Sequence, residues 1–257
     1  MAESLLSRVV SIIEAVVDAG EPVGPRALAR NTQIDRSAVG RILQQLDSLD
    51  VLSGVEGKYE PGPRLFALGR TLSALDTLPN AATSVLASLV ATFDETSYVC
   101  VLHGGAAVFL YESQSSKPLR YVVDLGRPVP LHAGAAGRAI LAGVSEETAR
   151  SLLETAPLEK LTDNTVCDVD ELLAMRGRDV KAGYSISLGE RVEGGAAVAA
   201  PFFDRAGSCQ GSIVLTAPIS RFAHVDQPVV GEALKLAGAT LSSRLGAQPR
   251  PGIDDLA

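Results

Sequence analysis

The sequence predicts an α+β protein in which a small helical module precedes a larger domain built on a β-sheet. Amphipathic helical patterns fill most of the first 50 residues, strand-like segments come in pairs from residue 96 onwards, and the later helical segments are grouped apart from them. The 257 residues suit two domains, and a hydrophobic content of 46% supplies material for their cores. We expect a module over residues 1–63, a linker helix over 64–80, a sheet domain over 81–247 and a loose tail over 248–257.

The composition excludes several classes of protein. Cys100, Cys167 and Cys209 form an odd, widely spaced set, which argues against a disulfide scaffold and offers no paired metal-ligand spacing. No uncharged apolar run approaches the roughly 20 residues that cross a bilayer. The first apolar stretch is broken by Arg8 and Glu14 and makes a poor signal peptide. We therefore expect a soluble, cytoplasmic protein with no membrane partner, no metal and no cofactor.

The charge is uneven along the chain. The net charge of −7, from 23 basic and 30 acidic residues, argues against a protein coated uniformly in nucleic acid. Residues 26–41 are an exception, because they hold four arginines and one acid. A basic window inside a nearly neutral small module suits a surface that faces DNA, although a solvated helix face is the alternative.

Three helices are predicted in the first module. The first covers residues 4–19 and ends at Gly20, the second covers 25–31 with Pro25 in its first turn, and the third follows Asp35 as N-cap. Ile34 and Val39 occupy the two positions of a hydrophobic staple around that cap. The apolar stripes expected to face the core are Leu6, Val9, Val10, Ile13, Val16 and Val17 in the first helix, Ala27 and Leu28 in the second, and Val39, Ile42, Leu43, Leu46 and Leu49 in the third.

The opposite face of the third helix is polar and suits a DNA groove. Strand-like residues 51–52 and 58–60 flank a turn at 54–57, so a small hairpin follows the helices. This order of elements predicts a winged helix-turn-helix whose third helix enters a major groove; a protein-interaction domain of the same shape is the alternative. Gly40 would let the helix backbone approach the duplex closely. We expect DNA contacts from Arg36, Ser37 and Arg41, with Arg26, Arg30, Gln44 and Lys58 as weaker candidates.

A connector and a sheet domain follow. Leu65, Leu68, Leu72 and Leu75 make a short heptad seam, typical of a linker that forms a dimer, although the same helix could pack on its own domain. Pro79 and Asn80 are expected to separate this helix from the next, over 81–93. The remaining expected strands are 96–103, 106–112, 119–124, 184–187, 195–203 and 210–216. Residues 130–142 are expected to be a loop that enters a helix of small residues, and further helices are expected at 145–154, 168–181 and 229–245.

Several separate motifs resemble one known family. They are Ala27-Leu28-Ala29-Arg30, residues 35–43, residues 59–65, Pro130-Leu131-His132-Ala133-Gly134 and the run to Ala142, Leu161-Thr162 with Asn164-Thr165, Gly183-Tyr184-Ser185, residues 194–201, and Ala217-Pro218-Ile219-Ser220-Arg221. The order and spacing of these motifs are similar to those of the isocitrate-lyase-regulator (IclR) family of bacterial transcription factors. The resemblance implies a homodimeric or homotetrameric regulator, most often a repressor, with a GAF-like effector domain that binds a small carboxylate metabolite.

A run of small residues at 133–137 allows two interpretations. Small side chains at a helix start expose backbone N–H groups to an anion, and they equally allow close packing of the helix on a sheet. The resemblance favours a pocket and implies that the effector contacts Val129, Ala135, Ala136, Ser187, Ala197, Val214 and Thr216. We add His132, which precedes this helix; we expect it chiefly to brace the loop, with effector contact as its lesser role.

This chain departs from the family pattern at three of those positions. Family members that bind small oxo-acids often have an acid, a cysteine and a hydroxyl residue where Ser187, Ala197 and Val214 stand here. The pocket is therefore expected to be less polar. It should take a ligand with a carboxylate or similar polar head and a larger apolar body, such as an aromatic acid.

No catalytic residues are expected. Residues 207–211 fit a cysteine version of a nucleophile elbow, but a strand-like segment follows where that motif needs a helix. Residues 190–193 are expected to form a solvated loop with weak local ion pairs. The alternative function is an enzyme or small-molecule-binding protein whose N-terminal helices only mediate dimerisation.

Overall fold

A computed structural model describes residues 4–75 and 78–248 of the protein, with residues 70–75 described by their backbone alone. The chain divides into two compact units, residues 1–76 and 77–257. The expected tail from residue 249 onwards lies outside the described residues, as do the side chains of Leu72 and Leu75 in the expected heptad seam.

The first unit is a winged helix-turn-helix. Ser4 caps the first helix, Pro25 occupies the first turn of the second, and Asp35 caps the third. The hairpin is tied to the third helix, since Gly54 N–H donates to Asp47 Oδ1 at 2.8 Å, and to the loop between the first two helices, where Val23 forms an isolated bridge with Tyr59. The elements are α1 (Leu5–Asp18), α2 (Pro25–Thr32), α3 (Arg36–Ser48), β1 (Leu52–Val55), β2 (Lys58–Pro61) and α4 (Pro63–Leu75).

The core of the first unit differs from the predicted stripe on α1. Ile12, which the stripe omits, is fully buried with Val16, whereas Leu6, Val10 and Val17 are 77%, 52% and 50% exposed. Apolar residues surround most of α1, so periodicity alone does not identify the side that α2 and α3 cover. On α3 the predicted stripe is buried from Val39 to Leu46, but Leu49, its last member, is exposed at the C-terminal end of the helix.

The second unit is a six-stranded antiparallel sheet between two layers of helices. Its strand order is β5-β4-β3-β8-β7-β6, and every neighbouring pair is antiparallel. The elements are α5 (Leu78–Phe93), β3 (Thr96–His103), β4 (Ala106–Ser113), β5 (Pro128–Val129), α6 (Ala135–Gly143), α7 (Glu146–Glu154), α8 (Val169–Ala182), β6 (Ser185–Leu188), β7 (Gly195–Phe203), β8 (Cys209–Pro218), α9 (Ile219–Phe222) and α10 (Gln227–Arg244).

Strand β7 separates two hydrophobic cores. Val198, Ala200 and Phe202 pack in a core with α5 and α10, and Ala197 and Ala199 pack on the opposite face with α6 and α8. This alternation is the ordinary consequence of side chains pointing to opposite faces of a strand. Helix α10 lies so close to β7 that a Cβ added at Gly238 would be 2.6 Å from Pro201 O. The α+β fold class predicted from the sequence is confirmed.

Two local predictions in the second unit are wrong. The predicted strand at residues 119–124 is instead part of an irregular segment between β4 and β5. Single hydrogen bonds tie this segment to the sheet, from Tyr98 Oη to Tyr121 O at 2.9 Å and from Gly126 N to Phe109 O at 2.8 Å, and no ladder forms. Pro79 and Asn80 do not separate two helices, because both lie in the first turn of α5, where proline is tolerated.

Within the described ranges, no helix is both long and apolar enough to span a bilayer.

Candidate nucleic-acid interface and ligand cavity

The polar face of α3 is open to solvent. Arg36, Ser37, Arg41 and Gln44 are all exposed, while the opposite face of the helix is buried in the core of the first unit. A Cβ added at Gly40 would meet nothing within 4 Å, so no packing requirement explains the glycine there. The exposed α3 face has the residue types and the access that a major groove requires.

Asp35 fixes the start of this face. Its Oδ1 accepts from Ser37 N at 2.8 Å, Ala38 N at 3.3 Å and Ser37 Oγ at 2.5 Å. The hydrogen bond from the Ser37 hydroxyl is the largest cause that lowers the pKa of Asp35, and the charge of Arg41 adds to it. Because that hydroxyl proton is used by Asp35, Ser37 has no free donor for a phosphate oxygen while the cap is formed.

The three weaker candidates outside α3 are also exposed. Arg26 and Arg30 lie on α2, and Lys58 begins β2. The Asp47 contact with Gly54 holds the hairpin that carries Lys58 against α3. The first unit therefore presents all seven predicted DNA contacts to solvent.

A cavity of about 40 Å³ lies in the second unit where α6 begins. We name it the α6 cavity; it is bounded by β4, β5, β6, β7 and β8, by the residues leading into α6, and by two loops. Seven of the eight predicted effector contacts line it: Val129, Ala135, Ala136, Ser187, Ala197, Val214 and Thr216.

His132 is the exception. Its buried ring places Nε2 2.9 Å from Glu159 O, outside the lining of the α6 cavity. A carbonyl oxygen only accepts, so Nε2 carries a proton and donates it. The bracing role expected for His132 agrees with this contact, and effector contact from His132 stays a prediction, which its position outside the cavity lining does not favour.

The small residues before and within α6 are used both to line the cavity and to allow close packing of the helix. Ala133 to Ala136 line the α6 cavity. One residue further, a Cβ at Gly137 would be 2.3 Å from Leu131 O, so that glycine allows the helix to pack tightly on the preceding loop. Gly134 has a φ of +94°, a conformation that favours glycine, and its N–H donates to Glu190 Oε2 at 3.1 Å.

Glu190 belongs to a buried ion cluster rather than to a solvated loop. Arg138 Nη1 lies 2.6 Å from Glu190 Oε1, and Arg138 Nη2 lies 2.9 Å from Asp179 Oδ2. Burial raises the pKa of both carboxyls, and the charge of Arg138 opposes that rise without cancelling it. The expectation of weak surface pairs at 190–193 is therefore wrong for Glu190, which the Arg138 guanidinium draws into the interior.

Family comparison agrees with these features. The family model for the bacterial transcriptional regulator IclR C-terminal domain matches residues 70–243, more than half of the chain. The chain belongs to the IclR family. Among curated relatives, the HTH-type transcriptional regulator KdgR of Dickeya chrysanthemi is 27% identical over 251 residues, which cover 96% of this chain and 82% of KdgR. The HTH-type transcriptional repressor AllR of Escherichia coli K12 is 25% identical over 248 residues, covering 96% and 92%.

Solved structures share the IclR fold. The IclR protein of Thermotoga maritima aligns with a TM-score of 0.75 at 21% identity, covering 94% of this chain and 98% of that one. An IclR homologue of Microbacterium hydrocarbonoxydans, solved in complex with 4-hydroxybenzoate, aligns with a TM-score of 0.72 at 22% identity, covering 94% and 99%. The IclR-family chain described here is thus a transcriptional regulator by family and an α+β protein by fold.

Sequence reasoning misses several residues that line the α6 cavity of this IclR chain. Phe109 comes from β4, Tyr121 from the segment predicted as a strand, and Arg191 from the loop predicted to be solvated. Only long-range packing brings these residues together, because they are separated along the chain by up to 82 positions (109 to 191). Arg191 stands between Glu190 and Glu193, so the sequence gives no local signal that its side chain lines a cavity.

Proposed function

We propose that this IclR-family chain is a repressor that binds operator DNA through the exposed α3 face and responds to a small carboxylate metabolite in the α6 cavity. The observation that carries the DNA-binding part is the exposure of Arg36 and Arg41 on a capped helix whose opposite face is buried in the core of the first unit. The relative AllR, named a transcriptional repressor, supports the direction of regulation.

We propose further that the chain acts as a homodimer or homotetramer, which would present two α3 faces to two half-sites. Leu65 is partly buried against its own core, but Leu68, the next member of the expected seam, is 55% exposed on α4. The exposed Leu6, Val10 and Val17 add apolar surface on α1. Apolar surface of this kind favours association with a second copy.

The proposed metabolite is a carboxylate with an apolar, ring-sized body. The apolar side chains of Val129, Ala197 and Val214 line the α6 cavity. A small oxo-acid would be better bound by a lining with more polar side chains. The homologue solved with 4-hydroxybenzoate, an aromatic acid, supports this class. A cavity of about 150 Å³ accommodates benzene, so the 40 Å³ cavity has to widen to admit such a ligand.

DNA binding is tested by fluorescence anisotropy with duplex DNA from upstream of the chain's own gene, at a series of salt concentrations. Binding should weaken with salt, and Arg36→Ala with Arg41→Ala should reduce the log–log salt slope by about 1 for each phosphate that the variant no longer neutralises. Addition of an aromatic acid should release the duplex.

The matched control is Lys181→Ala with Arg205→Ala, which removes two exposed cations from the second unit. This variant should bind DNA as the wild type does. If the wild type ignores both the upstream duplex and an unrelated duplex at low salt, the alternative of N-terminal helices that only dimerise a small-molecule-binding protein replaces the proposal.

A further inference from the structure

Two polar side chains reach the α6 cavity from outside the strands and α6. Tyr121 comes from the segment between β4 and β5, and Arg191 comes from the loop between β6 and β7. The effector contacts that the family resemblance implies include neither residue. Both differ from the other lining residues in having a strong hydrogen-bonding group at the end of a long side chain.

The Tyr121 hydroxyl is buried without a partner. Among the residues that the structure describes, its Oη is a buried side-chain polar atom with no hydrogen bond. The ring rests on Gly195, where an added Cβ would lie 2.7 Å from the ring and 2.9 Å from Oη. Burial raises the pKa of this hydroxyl, so it stays protonated and able to donate. A buried hydroxyl without a partner is unfavourable, and a ligand that accepts from it removes that penalty.

The Arg191 guanidinium is the charge available to a ligand. It lies 5.3 Å from the centroid of the Phe109 ring, and within the described ranges no carboxylate forms an ion pair with it. The neighbouring Glu190 is held by Arg138 and by the N–H of Gly134. The Gly134 N–H already donates to the Glu190 carboxylate, so Arg191 is the stronger partner for the anionic group of a ligand.

We propose that Arg191 binds the anionic group of the effector and that Tyr121 Oη hydrogen-bonds to a second polar group on its ring-sized body. This inference rests on the α6 cavity being the effector site, as proposed above. Phe109 holds the Arg191 side chain over its ring and supplies an apolar wall beside the anion. The effector class is thus narrowed to a hydroxylated or otherwise polar-substituted aromatic acid.

Isothermal titration of the full chain with three probes tests the two roles separately. The probes are benzoate, 4-hydroxybenzoate and neutral benzamide. Arg191→Gln should weaken both acids by about tenfold or more and leave benzamide unchanged, and Arg191→Lys should recover part of the loss. Tyr121→Phe should weaken 4-hydroxybenzoate by about threefold to tenfold and leave benzoate unchanged.

The control is Arg120→Gln, which removes an exposed arginine next to Tyr121 that does not line the α6 cavity. It should leave all three affinities within about twofold of the wild type. The inference is overturned if Arg191→Gln weakens the acids and benzamide equally, if Tyr121→Phe changes nothing, or if the wild type binds neither acid.

A cavity-filling variant separates failure of this inference from failure of the proposed effector site. Ala197→Leu adds bulk to a lining residue on β7. If Ala197→Leu abolishes acid binding while Arg191→Gln and Tyr121→Phe have no effect, the α6 cavity remains the effector site and the roles proposed for Arg191 and Tyr121 are rejected. Undiminished binding in Ala197→Leu places the ligand elsewhere and rejects the site itself.

Discussion

The guanidinium of Arg138 and the carboxylate of Asp179 meet inside the second unit, with Nη2 2.9 Å from Oδ2 and both side chains less than a tenth exposed. Ser185 Oγ donates to the same Asp179 oxygen at 2.8 Å, and Arg138 Nη1 also donates to Ile186 O at 2.9 Å. Arg138 thereby joins α6 to α8 and β6. A pair of this kind adds little over an apolar replacement, but breaking it leaves a buried charge.

Arg138→Met should destabilise the chain by about 3–5 kcal/mol, because Asp179 and Glu190 would be left without their shared counter-ion. Their pKa values, already raised by burial, should rise further. A carboxyl whose pKa is higher in the folded state contributes stability at low pH that is lost as the pH rises through that value. The deficit measured by urea unfolding should therefore be larger at about pH 8 than at about pH 5.

Arg150→Met is the matched control for the ion cluster. Arg150 also contacts two carboxylates, Asp170 and Glu154, but on the surface. The control should change the unfolding free energy little, and equally at both pH values. Equal effects of the two variants would contradict the role assigned to Arg138.

Asp35→Ala should lower both the melting temperature of the first unit and its affinity for DNA, since it removes the cap that orders the start of α3. The pKa of Asp35 is lowered in the folded state, so the cap contributes above the ordinary value of 3.8 and is lost as the pH falls through the lowered value. Circular dichroism and anisotropy measure the two effects. Asp168→Ala removes the equivalent cap of α8, which should lower stability without weakening DNA binding.

Gly40→Ala should separate stability from DNA binding. Nothing lies within 4 Å of an added Cβ, and alanine is favoured over glycine inside a helix by about 0.5–1 kcal/mol. We expect a higher melting temperature together with weaker DNA binding, because the methyl group would hold the duplex away from the α3 backbone. Gly177→Ala on α8, equally open, should raise stability and leave DNA binding unchanged; a loss of DNA affinity there would void the comparison.

Thiol labelling should distinguish two of the cysteines. Cys167 is exposed, and Cys100 is fully buried in β3, where burial raises the pKa of its thiol to about 12. Near pH 8 a disulfide reagent should modify Cys167 quickly and Cys100 only on unfolding, as followed by mass spectrometry. As the pH rises from 9.0 towards about 12, the unfolded thiol ionises before the folded one, so the free energy of unfolding should fall. Because Cys209 is only partly buried, the check uses a chain with Cys167→Ser and Cys209→Ser, and rapid reaction of that chain would contradict the burial of Cys100.

Helix caps, helix starts and tight turns are the features of this fold that can be predicted from the sequence. The cap at Asp35, proline in the first turn of α2, and the Gly104-Gly105 hairpin with φ values of +58° and +80° all depend on neighbouring residues. Each of these features is predictable within a residue or two. The seven effector contacts that the motif resemblance implies all line one cavity, a grouping that composition and periodicity alone do not predict.

The errors have a common physical origin, because they depend on which surface another element covers. Leu6 and Ile12 are equally apolar, and only the placement of α2 and α3 buries the second. Residues 119–124 resemble a strand, yet the segment forms no ladder. Glu190 looks like a surface acid until Arg138, distant in the chain, is seen beside it.

The close approach of α10 at Gly238 has a consequence for how ligand preference could change among relatives. With α10 pressed against the backbone of Pro201, β7 has little freedom to shift when a bulkier molecule enters. Accommodation falls instead to the irregular segment that carries Tyr121, which forms no ladder with the sheet, and to the side chain of Arg191, because hydrogen bonds from Thr162 and Thr165 to Glu190 O hold the backbone beside Arg191. Ligand specificity can then change through substitutions at Tyr121, Arg191 and their neighbours, while the strands keep their positions.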